Sequence, residues 1–457
     1  MNEPSATLDP EPGSARFALG VLLVALGAAA FAIVFRAALS ALFAAAANAH
    51  DVVSAMKHFP WWLRLVAPCA GGLCAGLLGM LVTRSRGGRG VGEVMEAVVL
   101  GKVRLPMRVT LVKSLASFCA IASGGSIGRE GPLIQFGGAC GKFVSDKLGL
   151  PMNDARRLIA AGTAAGFAAA YNTPFAAVLF VLEVVTGVVA LEAILPALVA
   201  TVIAVALTRA AVGQGPIYGQ RSFQLEHPTE LLAFAGLGIV TALGANAFMR
   251  VLSLGERAFK RKALRLPWRP ALGGLLAGGA VALLPDVAGN GYEPLNALLD
   301  GAFAPGFVAC LLAGKVFATT ASVSSGSPGG VFTPTLLIGG ALGLLYAHGL
   351  AALGVHLGVP GGYALVGMAA ATGATVHAPL MAAVMAFELS GDYAIVLPLL
   401  LATALSTLVS RLLHRDSIYT AELRERGVGW ELTLEGRVLD PKALLPSDPP
   451  GSRPSRG

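Results

Sequence analysis

The chain has 457 residues, of which 55% are hydrophobic and only 13% are charged. Soluble domains carry about 25% charged residues, so this composition, with a mean hydropathy of +0.70, excludes a soluble enzyme. A net charge of +8 is typical of nucleic-acid binders, but here the basic residues lie in short loops between apolar runs, as in cytoplasmic loops of membrane proteins. The composition therefore predicts an all-α polytopic membrane protein with no nucleic-acid partner. The alternative of a membrane-embedded enzyme needs clustered His, Asp or Cys residues near the membrane surface, and because the sequence shows no such cluster we expect no enzymatic activity.

The predicted helices follow one another along the whole chain, between two polar ends. A polar tail, residues 1–16, lacks the pattern of a signal peptide, and residues 420–457 are polar with balanced charge, which predicts a disordered tail. The apolar runs are Phe17–Phe43, Trp61–Val82, Leu111–Ser123, Leu158–Tyr171, Pro174–Leu191, Ala193–Ala211, Leu231–Val251, Ala271–Leu284, Gly306–Ser322, Val331–Leu353, Tyr363–Val376, Pro379–Leu389 and Ile395–Leu413. Several are shorter than the roughly 20 residues that cross a bilayer. Partial helices at membrane depth are tolerated only around a protein-lined cavity, which is typical of transporters.

An internal duplication is visible in the sequence. Three pairs of segments match in the same order: Gly88–Gly90 with Gly289–Gly291, Lys113–Pro132 with Lys315–Pro334, and Pro174–Glu183 with Pro379–Glu388. The offset stays between 201 (88 to 289) and 205 (174 to 379). We therefore predict two repeats, about 88–183 and 289–388, within a transmembrane domain of residues 17–419.

The charges indicate that the two repeats have opposite orientations. The stretch 84–104 carries five Lys or Arg residues, whereas the matching stretch 285–305 carries none and has three acidic residues. By the positive-inside rule the first stretch is cytoplasmic and the second is not. The basic joint at 257–269 is predicted to be cytoplasmic as well. This is an inverted repeat, an arrangement that places a binding site near the membrane midplane.

Two Gly-rich segments, Gly124–Pro132 and Ser325–Pro334, each precede an apolar helix. The first turn of a helix has free N–H groups and a partial positive charge, so it binds anions. Related by the inverted repeat, the two helix starts are predicted to converge on one anion site. The alternative is that Gly and Pro only permit close helix packing.

At these residues the chain resembles the CLC family of chloride channels and chloride/proton antiporters. The motifs are GREGP (Gly128–Pro132), GVFTP (Gly330–Pro334) and the late Tyr419. The resemblance implies an inverted-repeat CLC-type fold with many partial and tilted helices. It also implies a homodimer surrounded by lipid, with small inorganic anions as ligands and no cofactor or metal. We expect a bacterial inner (plasma) membrane protein with both termini cytoplasmic.

The resemblance also assigns roles to individual residues. Glu130 resembles the gating glutamate, whose carboxylate competes with the anion. The alternative for this glutamate is a simple ion pair with Arg129, and the alternative for Tyr419 is an anchor at the membrane surface. The other anion-binding positions implied by the motifs are Gly128, Arg129, Gly131, Val331, Phe332 and Tyr419.

Two positions depart from the family pattern. The family's first anion motif, GSGIP, reads GRGVG here, so Arg89 replaces the serine and becomes an anion-binding candidate or a block; otherwise it is an ordinary loop arginine. The internal proton-transfer glutamate of the antiporters is replaced by Val184, which follows Glu183. Valine cannot titrate, so the sequence favours a passive chloride channel gated by Glu130. The alternatives are a chloride/proton antiporter with another proton route and a fluoride-selective exporter.

Overall fold

α-Helices form almost all of the computed structural model, which describes residues 12–82, 90–100, 105–187, 191–213, 218–219, 221–223, 227–261, 265–355, 358–425, 428–433 and 436–440. The first-half helices are α1 Pro12–Ala47, α2 Val52–His58, α3 Trp61–Val82, α4 Val91–Leu100, α5 Met107–Ala122, α6 Glu130–Leu148, α7 Met152–Tyr171, α8 Pro174–Leu179 and α9 Leu191–Val212. The second-half helices are α10 Glu230–Arg261, α11 Trp268–Leu283, α12 Tyr292–Leu299, α13 Pro305–Ser324, α14 Phe332–Ala352, α15 Pro360–Val376, α16 Pro379–Ser390, α17 Val396–Leu413 and α18 Ile418–Glu425. A π-helical segment, Phe180–Thr186, continues α8.

Both full spans and partial helices occur, as the sequence predicts. Within the described residues, seven helical segments are long and apolar enough to cross a membrane, among them α3, α9 and α14. Others are shorter, such as α8 with its π-helical continuation (Pro174–Thr186) and the twelve residues of α16. The predicted polytopic all-α membrane fold is therefore confirmed.

Glycines let the paired helices of each repeat cross at close range. A Cβ placed on Gly137 of α6 would collide with the carbonyl oxygen of Gly162 on α7, and the reverse is also true. In the second repeat, a Cβ on Gly339 of α14 would lie 2.5 Å from the carbonyl oxygen of Gly367 on α15. Only glycine permits these contacts, and the matching crossings show the duplication in three dimensions.

Two glutamates cap helices across the repeats. The carboxylate of Glu183, on the π-helical segment, accepts hydrogen bonds from the N–H groups of Leu380 (3.3 Å) and Met381 (2.7 Å) in α16. In the same way, Glu388 on α16 accepts from Phe175 (3.0 Å) and Ala176 (2.8 Å) in α8. Each carboxylate satisfies free N–H groups in the first turn of the other repeat's helix.

The structure corrects both predicted tails. Helix α1 begins at Pro12, so residues 12–16 are helical; residues 1–11 lie outside the described part. The predicted disorder is wrong for the described residues of 420–440. There α18 ends at Glu425, and two antiparallel strands follow, β1 Gly429–Thr433 and β2 Gly436–Asp440. A specific contact outweighs the polar composition, because the indole Nε1 of Trp430 donates to Asp416 at 2.8 Å.

Candidate functional site

The site lies where the two Gly-rich segments meet. Helix α6 begins at Glu130 and helix α14 begins at Phe332. Just before them, the N–H of Gly128 donates to the carbonyl of Gly330 at 2.8 Å, and the N–H of Gly330 donates to the carbonyl of Gly128 at 2.9 Å. This isolated antiparallel bridge brings both helix starts to one point, as the inverted repeat predicts.

The carboxylate of Glu130 occupies the start of the opposite helix. Its Oε1 accepts from the N–H groups of Phe332 (2.9 Å) and Thr333 (3.3 Å), and its Oε2 accepts from the Thr333 hydroxyl (2.9 Å). The glutamate is buried, with 1% of its surface exposed. Such charge-assisted hydrogen bonds from a helix start are those that would hold a free anion. The negatively charged side chain therefore occupies a set of donors that could hold a free anion.

The bridge glycines provide the space for this carboxylate. A Cβ on Gly128 or on Gly330 would collide with the carboxyl group of Glu130. The N–H of Gly128 is also used by the bridge, so Gly128 shapes the site and does not offer that donor to an anion. The predicted anion-binding role of Gly128 stays a prediction. Gly131 packs against the bridge, since a Cβ there would lie 3.3 Å from the nitrogen of Gly330.

Arg129 is not the partner of Glu130. Its guanidinium carbon lies 5.0 Å from the ring centre of Tyr292 in α12, a cation–π distance. The hydrogen bonds of the Glu130 carboxylate go instead to α14. The alternative of a simple Arg129–Glu130 ion pair is therefore not what the structure shows. Val331 is the residue before α14 and lines the same site.

A cavity of about 460 Å³ leads to Glu130. Tyr419 lines it at the start of α18, with its ring edge-on to Phe180 at 6.2 Å between ring centres. The other charged or titratable lining side chains are Lys113, Glu256, His414, Asp416 and Glu422. Within the described ranges, no group of three or more His, Cys, Asp or Glu side chains is arranged to hold a metal ion. The expectation of no cofactor stays a prediction.

A polar cluster near this cavity was not predicted from the sequence. Glu93 on α4 is buried, and its carboxylate pairs with Lys113 of α5 at 2.7 Å and accepts from Gln135 of α6. Lys113 and Gln135 both line the cavity. Lys113 begins the repeat motif in the sequence, but its partner Glu93 lies 20 residues away on another helix. The cluster ties together three helices of the first repeat.

Two further hydroxyl groups beside Glu130 were also missed. Thr333 is the fourth residue of GVFTP, and Tyr171 ends α7. Their hydroxyl oxygens lie 2.8 Å apart, and both residues are 1% exposed. No spacing in the sequence signals this contact, because the two residues are 162 positions apart.

The remaining predicted positions have different outcomes. Val184 is buried at 2% exposure on the π-helical segment, next to the capping Glu183. The carboxylate of Glu183 accepts hydrogen bonds from N–H groups at the start of α16. Arg89 lies outside the described residues, so its place at the inner end of the pathway stays a prediction.

The fold and the site define a membrane ion-transport protein, and sequence comparison identifies its family. A model of the family described as voltage-gated chloride channel matches residues 71–411. A chloride channel protein described as ClcB-like from Ralstonia nicotianae is 40% identical over 377 residues, which is 81% of this chain and 88% of that protein. The voltage-gated ClC-type chloride channel ClcB of Escherichia coli is 35% identical over 381 residues, 81% of this chain and 89% of ClcB. The chain therefore belongs to the voltage-gated chloride channel, or CLC, family.

Solved structures show the same fold. The crystal structure of a slow cyanobacterial Cl−/H+ antiporter matches with a TM-score of 0.80 at 24% identity, covering 90% of this chain and 97% of that one. A CLC-type fluoride/proton antiporter matches with a TM-score of 0.73 at 24% identity, covering 89% of this chain and 97% of the other. At this identity the two likenesses support the fold alone.

Proposed function

We propose that this protein is a chloride channel that conducts passively and is gated by Glu130. The observation that carries the proposal is the position of the Glu130 carboxylate on the N–H groups of Phe332 and Thr333, at the end of the cavity. An anion and this carboxylate need the same donors, so they exclude each other. The ClcB proteins that match this chain are named chloride channels.

The expected pH dependence of the proposed gate follows from elementary electrostatics. An ionised carboxylate at a helix start is held by charge-assisted hydrogen bonds, which are roughly twice as strong as neutral ones. Protonation removes the charge and weakens this hold, so an anion displaces the side chain more easily. Anion flux should therefore rise as the pH falls. Tyr419, which lines the cavity, is the proposed hydroxyl donor to an anion below the gate.

Passive conduction is supported by the residues around the π-helical segment. A relay for protons inside a membrane is built from Asp, Glu or His side chains. Val184 has no titratable group, and the carboxylate of Glu183 is engaged by two N–H groups of α16. Neither residue offers a carboxylate that passes protons towards Glu130.

A chloride/proton antiporter is the second candidate, and one feature of the cavity favours it. Glu256 and Glu422 both line the cavity that reaches Glu130, and in an antiporter these carboxylates would form the proton route. The structural neighbours are a Cl−/H+ and a fluoride/proton antiporter. A fluoride-selective exporter is a further alternative, because Arg89 replaces the family serine.

The assembly and location belong to the same proposal. Apolar side chains on the outside of the bundle, such as Leu191 at 77%, Leu195 at 69% and Phe175 at 61% exposure, need lipid or a second subunit as a partner. We infer a homodimer embedded in lipid in a bacterial inner membrane, with both termini cytoplasmic.

The test uses purified protein in liposomes loaded with chloride. An outward chloride gradient should drive chloride efflux once a potassium ionophore balances the charge. In a passive channel this efflux moves no protons uphill, so the external pH stays constant. A sustained chloride-driven uptake of protons, absent from liposomes without protein, would replace the channel by the antiporter. An absence of any anion flux in folded protein would refute both.

A further inference from the structure

The Thr333 hydroxyl has a different partner from the hydroxyls of several other helical threonines. A threonine inside a helix commonly donates its hydroxyl to a carbonyl three or four residues earlier. Thr163, Thr335 and Thr372 all do this, with distances of 2.7, 2.8 and 2.9 Å to the residue four positions earlier. Thr333 is the second residue of α14, so no helical carbonyl precedes it at that spacing, and its hydroxyl bonds Glu130 instead.

The direction of the hydrogen bonds follows from the number of hydrogens. An ionised carboxylate only accepts, and a threonine hydroxyl has one hydrogen. Thr333 therefore donates to Oε2 of Glu130, and Tyr171 donates to the oxygen of Thr333 at 2.8 Å. The tyrosine ring is fixed by Phe167 and Phe332, with ring centres 4.9 and 5.5 Å away. Tyr171 thus orients the threonine hydroxyl towards the gate.

The two oxygens of the carboxylate are held by different donors. Oε1 is bound by backbone N–H groups, and Oε2 is bound by the Thr333 hydroxyl. A monoatomic anion that takes the place of Oε1 keeps the backbone contacts and gives up the contact that Oε2 makes. The hydroxyl therefore favours the carboxylate over a halide.

We propose that Thr333, oriented by Tyr171, is a positioning residue that latches the Glu130 carboxylate in its closed position and sets the pH at which the pathway opens. This inference rests on the proposed gating role of Glu130. The charged and titratable groups around the carboxylate are Arg129 before α6, Tyr171 on α7, Tyr292 on α12, Lys315 on α13 and Tyr419 on α18. All except Tyr171 are unchanged in the variants below, so a shift among the variants reports the latch.

The experiment measures chloride efflux from liposomes as a function of pH. Thr333→Val keeps the size of the side chain but removes the hydroxyl, so the pH of half-maximal flux should rise by about one unit, equivalent to about tenfold in the opening equilibrium. Thr333→Ser keeps the hydroxyl and should behave like the wild type. Tyr171→Phe should raise the midpoint by about half a unit, since it removes a neutral hydrogen bond behind the donor. The matched controls are Thr335→Val and Tyr363→Phe, buried residues whose hydroxyls do not bond Glu130.

A double variant separates a latch from a general packing effect. Because Tyr171 reaches Glu130 only through Thr333, Tyr171→Phe should add nothing in the Thr333→Val background. In a Glu130→Gln background, Thr333→Val should leave the flux independent of pH. If Thr333→Val does not fold, the profile of Tyr171→Phe, which removes one oxygen atom, decides the question.

Failure of the latch is distinguishable from failure of the gate. The latch is overturned if Thr333→Val or Tyr171→Phe has the wild-type midpoint while Glu130→Gln abolishes the pH dependence. It is overturned as well if the two variants shift the midpoint additively, or if Thr335→Val shifts it equally. The proposed function itself fails if the wild type conducts no anion or if Glu130→Gln keeps the wild-type pH profile.

Discussion

The two repeats place different chemistry on equivalent backbone positions. In GREGP and GVFTP the glycines Gly128 and Gly330 correspond and bond each other, and both prolines are retained. The residue at the start of α6 is Glu130, whereas its counterpart at the start of α14 is Phe332. One repeat therefore supplies the charge and the other supplies the N–H groups that receive it. The duplicated backbone brings two helix starts together, and the difference between Glu130 and Phe332 supplies the proposed gate.

Equivalent residues that stayed alike have structural roles. Glu183 and Glu388 each accept two hydrogen bonds from backbone N–H groups of the other repeat. The two lysines that begin the repeats have diverged. Lys113 pairs with the carboxylate of Glu93, whereas Lys315 is fully buried and donates to the carbonyls of Val287 (3.1 Å) and Gly289 (2.8 Å).

The largest expected effect comes from removing the asymmetric charge. Glu130→Gln mimics the protonated gate, so chloride flux should vary less than about twofold across the pH range in which the wild type varies about tenfold or more. Liposome efflux at a series of pH values measures this. The matched control is Glu422→Gln, which removes another carboxylate from the cavity lining and should retain the pH dependence. If Glu422→Gln also loses the pH dependence, the dependence is not specific to Glu130 and the assignment of the gate is contradicted.

The bridge glycines should respond alike because each lies against the same carboxylate. A methyl group at Gly128 or Gly330 would collide with the carboxyl of Glu130 and displace this flexible side chain. Gly330→Ala and Gly128→Ala should therefore both raise the flux at neutral pH, by about threefold to tenfold, equivalent to about 1 kcal/mol of weakened gate binding. Gly306→Ala is the control, because a Cβ there meets no atom within 4 Å. An increase in flux at one bridge glycine and none at the other would contradict the account in which both glycines make room for the same carboxylate.

The reciprocal caps should matter for stability and not for gating. Glu183→Ala and Glu388→Ala each leave two N–H groups of a helix start without their acceptor, which costs about 2 kcal/mol. We expect similar losses of thermal stability in detergent for the two variants, and unchanged pH midpoints for the flux of the folded fraction. Glu192→Ala, at an exposed carboxylate, should change stability by less than about 0.5 kcal/mol. A shifted pH midpoint of the flux in Glu183→Ala would instead indicate that Glu183 acts as a proton relay.

The smallest effect is expected at Tyr419. Tyr419→Phe removes the proposed hydroxyl donor to an anion below the gate and leaves the ring against Phe180. Chloride affinity should fall by about fivefold, since one hydrogen bond contributes about 1 kcal/mol. Calorimetric titration of chloride measures the change, with Tyr393→Phe, at 79% exposure, as the control. Equal chloride affinities in Tyr419→Phe and the wild type would show that the Tyr419 hydroxyl does not bind the anion and that the residue only packs.

Local motifs predicted the fold, the duplication and the meeting of the two helix starts, because Gly-rich helix starts and inverted charge patterns can be recognised in short stretches of sequence. Contacts between the repeats were not predictable in the same way. The sequence places Glu183 and Glu388 at matching repeat positions, but it does not show that each caps a helix of the other repeat. The Tyr171–Thr333 contact and the Trp430–Asp416 bond also depend on tertiary placement. Arg89 stays a prediction, and Arg89→Ser should change anion preference if the residue faces the pathway.

The most direct test of passive conduction through this asymmetric gate is the reversal potential of the purified protein in a planar bilayer. A chloride gradient is held constant while the proton gradient is varied, and leak is measured in membranes without protein. A passive channel should reverse at the chloride equilibrium potential whatever the proton gradient, because no proton moves with the anion. A reversal potential that shifts with the proton gradient would contradict passive conduction and assign the protein to the coupled antiporters.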